Sequence, residues 1–242
     1  LEHRESQSEQ AYASLKDEEG SILGLIKLES IWRPSKGNEA QLAFGGDPEH
    51  PSILYLNNIS GDYYVGGKVE VFSVPTHAAH SDLRHSPSEL KSLIQFKGWS
   101  SFPLVAFQTR NPLHRAHFEL TMRALDSLGE NARLLLHPVV GVTKPGDIDA
   151  HTRVKCYRAL MNHFPLNRAL LSVLPLAMRM AGPREALLHA IIRQNYGASH
   201  FIIGRDHAGP GSNSSGRDFY PPQEARDFTL KFQNELKIKS MP

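Results

Sequence analysis

The chain has 242 residues, of which 40% are hydrophobic and 21% charged, a composition typical of a globular protein. Its net charge of +2 gives no general attraction to nucleic acid or to an acidic membrane, so any anion must be held by a local cluster. The single cysteine, Cys156, excludes an internal disulfide and suits a reducing compartment, and no apolar run reaches the roughly 20 residues of a membrane span.

The N-terminal third has a β-leaning pattern. Short apolar runs at 21–28, 52–56 and 68–72 predict strands, and the segments between them have turn chemistry. Because so few short strands form only part of a sheet, we expect a partial β-rich domain over residues 1–85. The glycines in "GDYYVGGKV" (61–69) lack the order of a phosphate-binding loop, so we interpret them as the turn of a β-hairpin.

A linking helix is predicted within residues 86–101. Ser86 is a suitable N-cap, and Pro87 fits the first turn. Glu89 completes a capping box, and Gly98 is placed to end the helix.

Strands and helices alternate from residue 102 onward. The predicted strands are at 103–109, 133–142, 168–176 and 200–204, and the predicted helices at 112–128, 150–164 and 183–196. The strands are continuous apolar runs, as expected when helices cover both faces of a sheet. The fold class is therefore α/β, with a Rossmann-like open parallel sheet over residues 102–242. Residues 209–218 are predicted to form a flexible loop.

The segment "QTRNPLHRAH" follows the first of these strands, at the edge where open α/β sheets bind ligands. Arg110 offers a planar cation suited to an oxyanion, and Gln108 an amide donor. Asn111 is placed to cap the next helix, with Pro112 in its first turn, which would direct free backbone N–H groups towards the crevice. The pattern predicts an anion-binding site.

His114 and His117 lie three residues apart, which predicts that they share one face of that helix. A single histidine in a first turn is usually only a polar residue near the cap. Two of them beside Arg110, at the mouth of a strand, favour the anion site. A zinc site needs a third ligand and, as in H-E-x-x-H, a catalytic carboxylate, so we assign no metal ligands.

The segment "GRDHAGPG" follows the fourth strand. Arg205 and His207 are predicted to form a second cationic wall opposite the first. Three glycines would let the backbone of this loop approach a ligand: Gly204, Gly209 and Gly211. The glycines of "GPGSNSSG" fail the spacing of a dinucleotide-binding loop.

Two further loops are weaker candidates. "TKPGDID" brings Lys144 and Asp147, although a turn followed by an Asp149 N-cap accounts for its pattern. In "AGPREA", Pro183 and Glu185 are typical of helix initiation, although Arg184 could face the crevice.

The residue types at these loops limit the chemistry. No serine or cysteine nucleophile stands beside a base, and no carboxylate pair is present. Arginine, histidine, glutamine, asparagine and backbone N–H groups stabilise charge without forming a covalent intermediate. This set is typical of phosphoryl or nucleotidyl transfer.

Four motifs in order, "QTRNPLHRAH", "TKPGDID", "AMRMAGPREA" and "FIIGRDHAGPG", closely resemble those of the ATP sulfurylase (sulfate adenylyltransferase) family. The first is similar to the HxxH signature of α/β nucleotidyltransferases. The resemblance covers nearly all of residues 20–230, including "GDYYVGGK" in a β-rich domain that is PUA-like in the family. It implies a nucleotidyltransferase-type fold and transfer of AMP from ATP to sulfate, giving adenosine 5′-phosphosulfate and pyrophosphate, with Mg²⁺ accompanying the nucleotide.

The resemblance also implies individual roles. Sulfate would be bound by Gln108, Arg110 and the backbone N–H of Ala208. The ATP phosphates would be lined by Gln108, Thr109, Arg110, Asn111, Gly204, Arg205, Asp206 and His207. His114 and His117 would stabilise the transition state at the α-phosphate and the leaving pyrophosphate, beside a catalytic core of Thr109, Arg110 and Asn111.

The family has more chain before the β-rich part, and a later catalytic segment with a Gly-Thr-Lys-Val-like stretch. We therefore expect an internal fragment whose catalytic domain is C-terminally incomplete, which leaves the activity of this chain alone open. Pro221 and Pro222 depart from the family's usual Gly-Pro. We expect ATP and sulfate as partners, with no nucleic acid and no membrane, in a cytoplasmic homo-oligomer, or in an organelle if a targeting segment has been lost.

Two alternatives remain open. One is another HxxH nucleotidyltransferase, or an enzyme like the class I aminoacyl-tRNA synthetases, whose acceptor is a carboxylate or a nucleotide. Arg110 and Gln108 beside the histidines argue against it. The other is a non-catalytic homologue or RNA-binding module, since PUA-like domains can bind RNA; the intact motifs and near-neutral charge argue against it.

Overall fold

The computed structural model describes residues 11–74, 77, 79–143 and 146–241. Its N-terminal part contains β1 (Tyr12–Lys16), β2 (Ile22–Lys27), β3 (Ser30–Trp32), α1 (Lys36–Phe44), α2 (Pro51–Asn58), β4 (Tyr64–Gly66) and β5 (Val69–Val71). These strands form two small antiparallel sheets, β1-β2-β5 and β3-β4.

The segment 52–56, predicted as a strand, lies in helix α2, so that prediction was wrong. His50 caps the helix, its Nδ1 accepting the Ser52 N–H at 3.1 Å. Ile53 and Leu56 are buried at a helical spacing of three residues. A short apolar run does not by itself distinguish a strand from a buried helix. The turn predicted at 33–39 likewise contains the start of α1.

The strands on either side of Gly67 do not form the predicted hairpin, because β4 pairs with β3 and β5 pairs with β2. At Gly67 the chain instead passes from one sheet to the other. A Cβ atom at this position would collide with the backbone carbonyl of Lys27. The glycine is therefore required by a close approach of two backbones.

Helix α3 (Pro87–Phe96) forms within the segment 86–101, where a helix was predicted. Ser86 Oγ accepts the Glu89 N–H at 3.3 Å, and the Glu89 carboxylate accepts the Ser86 N–H at 2.7 Å, which confirms the capping box. Leu90 and Ile94 are buried against the C-terminal part.

The C-terminal part contains β6 (Leu104–Phe107), α4 (Arg115–Ser127), β7 (Arg133–Leu136), α5 (Ala150–Met161), β8 (Ala169–Leu171), α6 (Pro183–Asn195), β9 (His200–Ile202), α7 (Glu224–Lys231) and β10 (Lys239–Met241). Its five strands pair in parallel in the order β10-β9-β6-β7-β8, which confirms the open parallel sheet. Neither β10 nor α7 was predicted, because "KSM" has no apolar run and α7 is strongly polar.

Two apolar clusters cover the two faces of this sheet. Alternate strand residues face opposite sides: Leu104 and Ala106 belong to the cluster with α3 and α6, whereas Val105 and Phe107 belong to the cluster with α4 and α5. This two-sided burial explains the continuous apolar runs in the sequence. Within the described residues, no helix has the length and apolarity needed to cross a membrane.

Side chains of the N-terminal part hold two loops of the C-terminal part. His50 Nε2 lies 3.0 Å from the Met180 carbonyl oxygen, in the loop after β8. Asn213 donates to Asp47 at 3.0 Å. The Ser214 N–H donates to Glu49 at 2.7 Å. The segment 209–218, predicted as a flexible loop, is thus held by hydrogen bonds to the N-terminal part.

Candidate anion-binding site

The loops after four parallel strands meet at one edge of the sheet. β6 lies between β7 and β9, so the chain crosses over in opposite directions from this strand, which is where open α/β sheets bind ligands. Arg110 Nη2 lies 3.5 Å from the Gly209 carbonyl oxygen, and its Nη1 lies 2.7 Å from a carboxylate oxygen of Asp147. Gln108 Nε2 lies 4.0 Å from Met178 Sδ. These contacts join the loops after β6, β7, β8 and β9.

Gln108 is buried, yet its Oε1 has no hydrogen-bond partner within the described structure. An unsatisfied buried polar atom costs about 1–3 kcal/mol, so such an atom in a cleft marks a position that a ligand or water fits. Rotation of the amide by half a turn would place its N–H groups at the same position. This geometry is compatible with the prediction that Gln108 donates to an oxyanion, which stays a prediction.

Arg110 forms an ion pair with Asp147, which lies in the "TKPGDID" loop that the sequence made only a weaker candidate. Its Nη1 donates to both carboxylate oxygens of Asp147 at 2.7 Å, and the Arg110 and Asp147 side chains are only 17% and 8% exposed. Asp147 neutralises the guanidinium and fixes its orientation, while the Nη2 edge faces the loop of Gly209. Lys144, from the same predicted motif, lies outside the described residues.

Two buried residues of α5 hold the backbone beside Arg110. Arg153 Nη1 donates to the carbonyl oxygens of Arg110 at 2.7 Å and Val139 at 3.1 Å. Tyr157 donates its hydroxyl to the Asn111 carbonyl oxygen at 2.8 Å. Burial raises the pKa of Tyr157 to about 12, so the hydroxyl keeps its proton at neutral pH. In the sequence, the only sign of this pair is the spacing of Arg153 and Tyr157 by one helical turn. Their burial beside Val154 is visible only in the structure.

Helix α4 begins later than predicted. Its N-cap is His114, whose Nδ1 accepts the Ala116 N–H at 3.2 Å. Asn111 instead closes a turn with Thr109, whose Oγ1 accepts the Asn111 N–H at 3.1 Å. The prediction that Asn111 caps the helix was therefore wrong, and the Ala116 N–H is not free for an anion.

The two histidines stack at the start of α4, with ring centroids 4.0 Å apart. His117 Nδ1 accepts the His114 N–H at 3.5 Å, the outer limit for a hydrogen bond. Because each Nδ1 accepts a backbone N–H, each neutral ring carries its proton on Nε2. Burial, and then the charge of His114, lowers the pKa of His117. The pair thus has two Nε2–H donors available for a ligand.

The loop after β9 has an unusual backbone. Asp206 and Ala208 adopt left-handed conformations, with φ of 52° and 57°. The Asp206 carboxylate occupies the place where a Cβ of Gly209 would stand, so a larger residue at 209 would displace that carboxylate. The Ala208 carbonyl oxygen accepts the Gly182 N–H at 3.2 Å, which joins this loop to the one after β8.

His207 does not belong to the predicted cationic wall. Its side chain is buried, and its Nε2 lies 3.0 Å from His189 Nδ1. Burial lowers the pKa of His207 well below its ordinary value, so the ring is neutral. Any contact of His207 with a nucleotide must therefore involve its backbone. Arg205, the other cation predicted for this wall, is exposed on the same loop, as is Asp206.

Comparisons with known proteins show the family to which the chain belongs. A family model for ATP-sulfurylase matches residues 81–242. The chain belongs to the ATP-sulfurylase family. A second model, for a PUA-like domain, matches residues 2–74, in agreement with the domain type that the resemblance implied.

Several sulfate adenylyltransferases are similar in sequence to this member of the ATP-sulfurylase family. The enzyme of Candida albicans is 53% identical over 228 residues, which cover 94% of this chain and 43% of that protein. The enzyme of Saccharomyces cerevisiae is 52% identical over 230 residues, covering 95% and 44%. That of Aspergillus terreus is 54% identical, covering 90% and 37%. The chain therefore spans less than half the length of these relatives.

A solved structure supports the fold of this family member. The hexameric APS kinase from Thiobacillus denitrificans superposes with a TM-score of 0.68 at 25% identity, covering 96% of this chain and 37% of that one. The match spans both the N-terminal and the C-terminal parts. It confirms the α/β fold.

Proposed function

We propose that this chain carries the sulfate-activating site of a sulfate adenylyltransferase. In the reaction, a sulfate oxygen forms a bond to the α-phosphorus of ATP, and the bond from that phosphorus to the bridging oxygen breaks. The products are adenosine 5′-phosphosulfate and pyrophosphate. The observation that carries the proposal is that Arg110, Gln108 and the stacked histidines share one loop, at the point where the sheet's crossovers diverge.

Sulfate is a weak nucleophile, so the main task is to hold two mutually repelling anions in line. Arg110 and Gln108 bind sulfate, together with the backbone N–H of Ala208. Thr109 and Asn111 shape the turn that orients Arg110 towards the reacting atoms, since Thr109 Oγ1 accepts the Asn111 N–H and Arg153 and Tyr157 fix the neighbouring carbonyls.

The histidines act on the other side of the reacting phosphorus. Their Nε2–H groups donate to the α-phosphate and to the leaving pyrophosphate as negative charge develops there. The loop after β9 provides the remaining contacts to the ATP phosphates: Gly204, Arg205, Asp206 and the backbone of His207. None of these residues forms a covalent bond to the substrate.

Mg²⁺ enters as part of the nucleotide substrate. Among the described residues, no group of three or more histidine, cysteine or acidic side chains is placed to hold a metal ion. Asp147, a carboxylate at the centre of the site, is engaged by Arg110. Because Mg²⁺ is commonly bound through substrate phosphates with few protein ligands, the phosphates are its main ligands, and it neutralises part of their charge.

The active protein is a cytoplasmic homo-oligomer in this proposal. Support for the assembly comes from the structural relative, which is described as hexameric. The low cysteine content supports a reducing compartment.

The proposal is tested by sulfate-dependent release of pyrophosphate from ATP, with the protein expressed from its complete coding sequence. His114→Asn is a suitable control, because asparagine keeps the helix cap and removes the imidazole. We expect sulfate-dependent release by the unaltered protein that exceeds the control by about 100-fold, as when one transition-state donor is lost. Equal rates in the two proteins, or release driven by a carboxylate or nucleotide acceptor instead of sulfate, would refute it.

A further inference from the structure

Helix α6 carries a buried polar pair that no proposed contact with substrate uses. Glu185 and His189 lie one turn apart and are 3% and 0% exposed. Polar groups are buried at this depth only when their partners compensate for the lost hydration. Their partners lie in two loops of the candidate site, those after β8 and β9.

Glu185 holds the first of these loops. Its carboxylate accepts the backbone N–H of Arg179 at 2.9 Å and that of Ala181 at 3.0 Å. His189 Nε2 lies 3.4 Å from Glu185 Oε1, without the geometry of a hydrogen bond. At this distance the negative charge of the carboxylate still favours the tautomer of His189 that carries its proton on Nε2.

His189 reaches the second loop through its other nitrogen. Its Nδ1 lies 3.0 Å from His207 Nε2, and the His207 ring also stands edge-on to Phe201 at 5.4 Å. Because the proton of His189 is held on the Nε2 beside Glu185, its Nδ1 accepts a hydrogen bond and His207 Nε2 donates it. Both rings are buried, and burial lowers the pKa of each well below its ordinary value.

The backbone around His207 needs such an anchor. Asp206 and Ala208 on either side have positive φ values, which cost non-glycine residues free energy and persist only when their surroundings fix them. The Asp206 N–H donates to the Pro222 carbonyl oxygen at 2.9 Å, and the Gly209 N–H donates to that of Asp206 at 3.2 Å. The buried ring of His207 anchors the centre of this turn.

We propose that His189 is a positioning residue: by accepting a hydrogen bond from His207, it fixes the strained turn 206–209 and so aims the Ala208 N–H at the sulfate. This inference rests on the proposed function, which it extends from the residues that contact substrate to one that does not. The side chain of His189 is fully buried, so its effect on the site would be exerted through His207.

Two substitutions at His189 separate this role from simple packing. Asparagine places a polar atom near the position of Nδ1, and its Oδ1 can still accept from His207. Glutamine places its amide near the position of Nε2 and loses that contact. We expect H189Q to raise the KM for sulfate by about 10-fold, the effect of one lost hydrogen bond, while H189N stays within about 3-fold of the unaltered protein.

The matched control is His200, which lies at the opposite end of β9 from the loop. Its Nδ1 lies 2.9 Å from Ser199 Oγ, and within the described part of the chain none of its hydrogen bonds reaches the turn 206–209. The same two substitutions at His200 should leave the KM for sulfate unchanged. A rise in both His200 variants as large as in H189Q would overturn the proposal, because the effect would then report general destabilisation.

Hydrogen exchange of the Asp206 and Gly209 amides provides a readout that does not depend on activity. We expect faster exchange of both amides in H189Q and unaltered exchange in H189N. Equal behaviour of the two His189 variants, whether both change or neither does, would overturn the positioning role. If the unaltered protein shows no sulfate-dependent activity, the proposed function fails, and the exchange experiment still decides whether His189 fixes the turn.

Discussion

At the scale of single residues, His114 serves two purposes. Its Nδ1 accepts the Ala116 N–H and so caps α4, while its Nε2 remains for a ligand. The spacing to His117 predicts the second purpose, which stays a prediction. The cap was predicted at Asn111, because asparagine followed by proline is a common start of a helix. The true start depends on tertiary contacts that local sequence does not contain.

The cap at position 114 is testable by stability alone. We expect His114→Ala to lower the free energy of unfolding by about 1 kcal/mol, the usual effect of losing an N-cap. His114→Asn should retain the free energy of the unaltered protein, since asparagine is an effective N-cap. Urea unfolding measures both. Equal destabilisation by the two substitutions would show that the cap contributes nothing.

Arg110 is a site where charge alone does not suffice. Its guanidinium donates to both oxygens of Asp147 and reaches Gly209 from the other nitrogen. Lysine keeps the charge but has no planar fork with which to contact Asp147 and an oxyanion together. We expect Arg110→Lys to lower kcat/KM for sulfate by about 100-fold, the range for losing one preorganised donor. Arg226→Lys, on the surface of α7, is the control. A loss no larger than in that control would exclude the fork as the important feature.

At the scale of elements, helix boundaries were predictable where the cap is local. The capping box of α3 and the Asp149 cap of α5 are confirmed, since Ser86 accepts the Glu89 N–H and Asp149 accepts the Thr152 N–H. The boundary of α4 was not predictable, because its preceding turn is held by side chains of α5. For α2, the apolar run 52–56 was compatible with a strand as well as with a buried helix.

Glu185 gives a second test at this scale. Its carboxylate accepts two backbone N–H groups, whereas a glutamine offers one oxygen and turns an N–H group towards the second donor. We expect Glu185→Gln to lower the free energy of unfolding by about 1–3 kcal/mol, because one buried N–H loses its acceptor. Chemical denaturation measures the change.

Glu119→Gln is the control for this test. Glu119 lies on the exposed face of α4, 3.7 Å from Arg115. A surface ion pair of this kind contributes about 0–1 kcal/mol. If Glu185→Gln destabilises no more than Glu119→Gln does, the carboxylate does not hold the loop after β8.

At the scale of the whole molecule, four buried histidines contribute to the dependence of stability on pH. Burial lowers the pKa of His50, and it lowers the pKa of His137, His189 and His207 well below the ordinary value of 6.5. The unfolded chain therefore binds protons more readily than the folded chain below that pH. Their contribution to stability is complete above pH 6.5 and is lost as the pH falls. The contribution of Glu185 to the pH dependence has the opposite sign, because burial raises its pKa. Protonation at low pH removes the free-energy cost of burying its negative charge.

We expect the free energy of unfolding to fall steeply below about pH 6.5, by roughly 1.4 kcal/mol per pH unit for each histidine. Urea unfolding at several pH values measures the slope. His137→Leu removes one of these groups and should reduce the slope. A slope that is flat below pH 6.5, or unchanged in His137→Leu, would contradict the assignment.

The meeting of these loops at one edge of the sheet was predictable at this scale, whereas the pairing of their side chains was not. Parallel strands end at the same edge of a sheet, which brings together the polar, glycine-rich loops that contain Gln108, Arg110 and "GRDHAG". Open α/β sheets bind ligands at that edge. Sequence spacing does not reveal that Asp147 faces Arg110. It also does not reveal that His207 turns inward to His189, since both facts depend on how separate loops pack.

The two purposes of His114 constrain how this position tolerates change. A library screened only for folded protein would retain asparagine, serine, threonine and aspartate there, because each caps a helix. A library screened for catalysis would also require a ring N–H on the outer side. The difference between the two surviving sets would measure, from one position, how much of its constraint arises from folding and how much from chemistry.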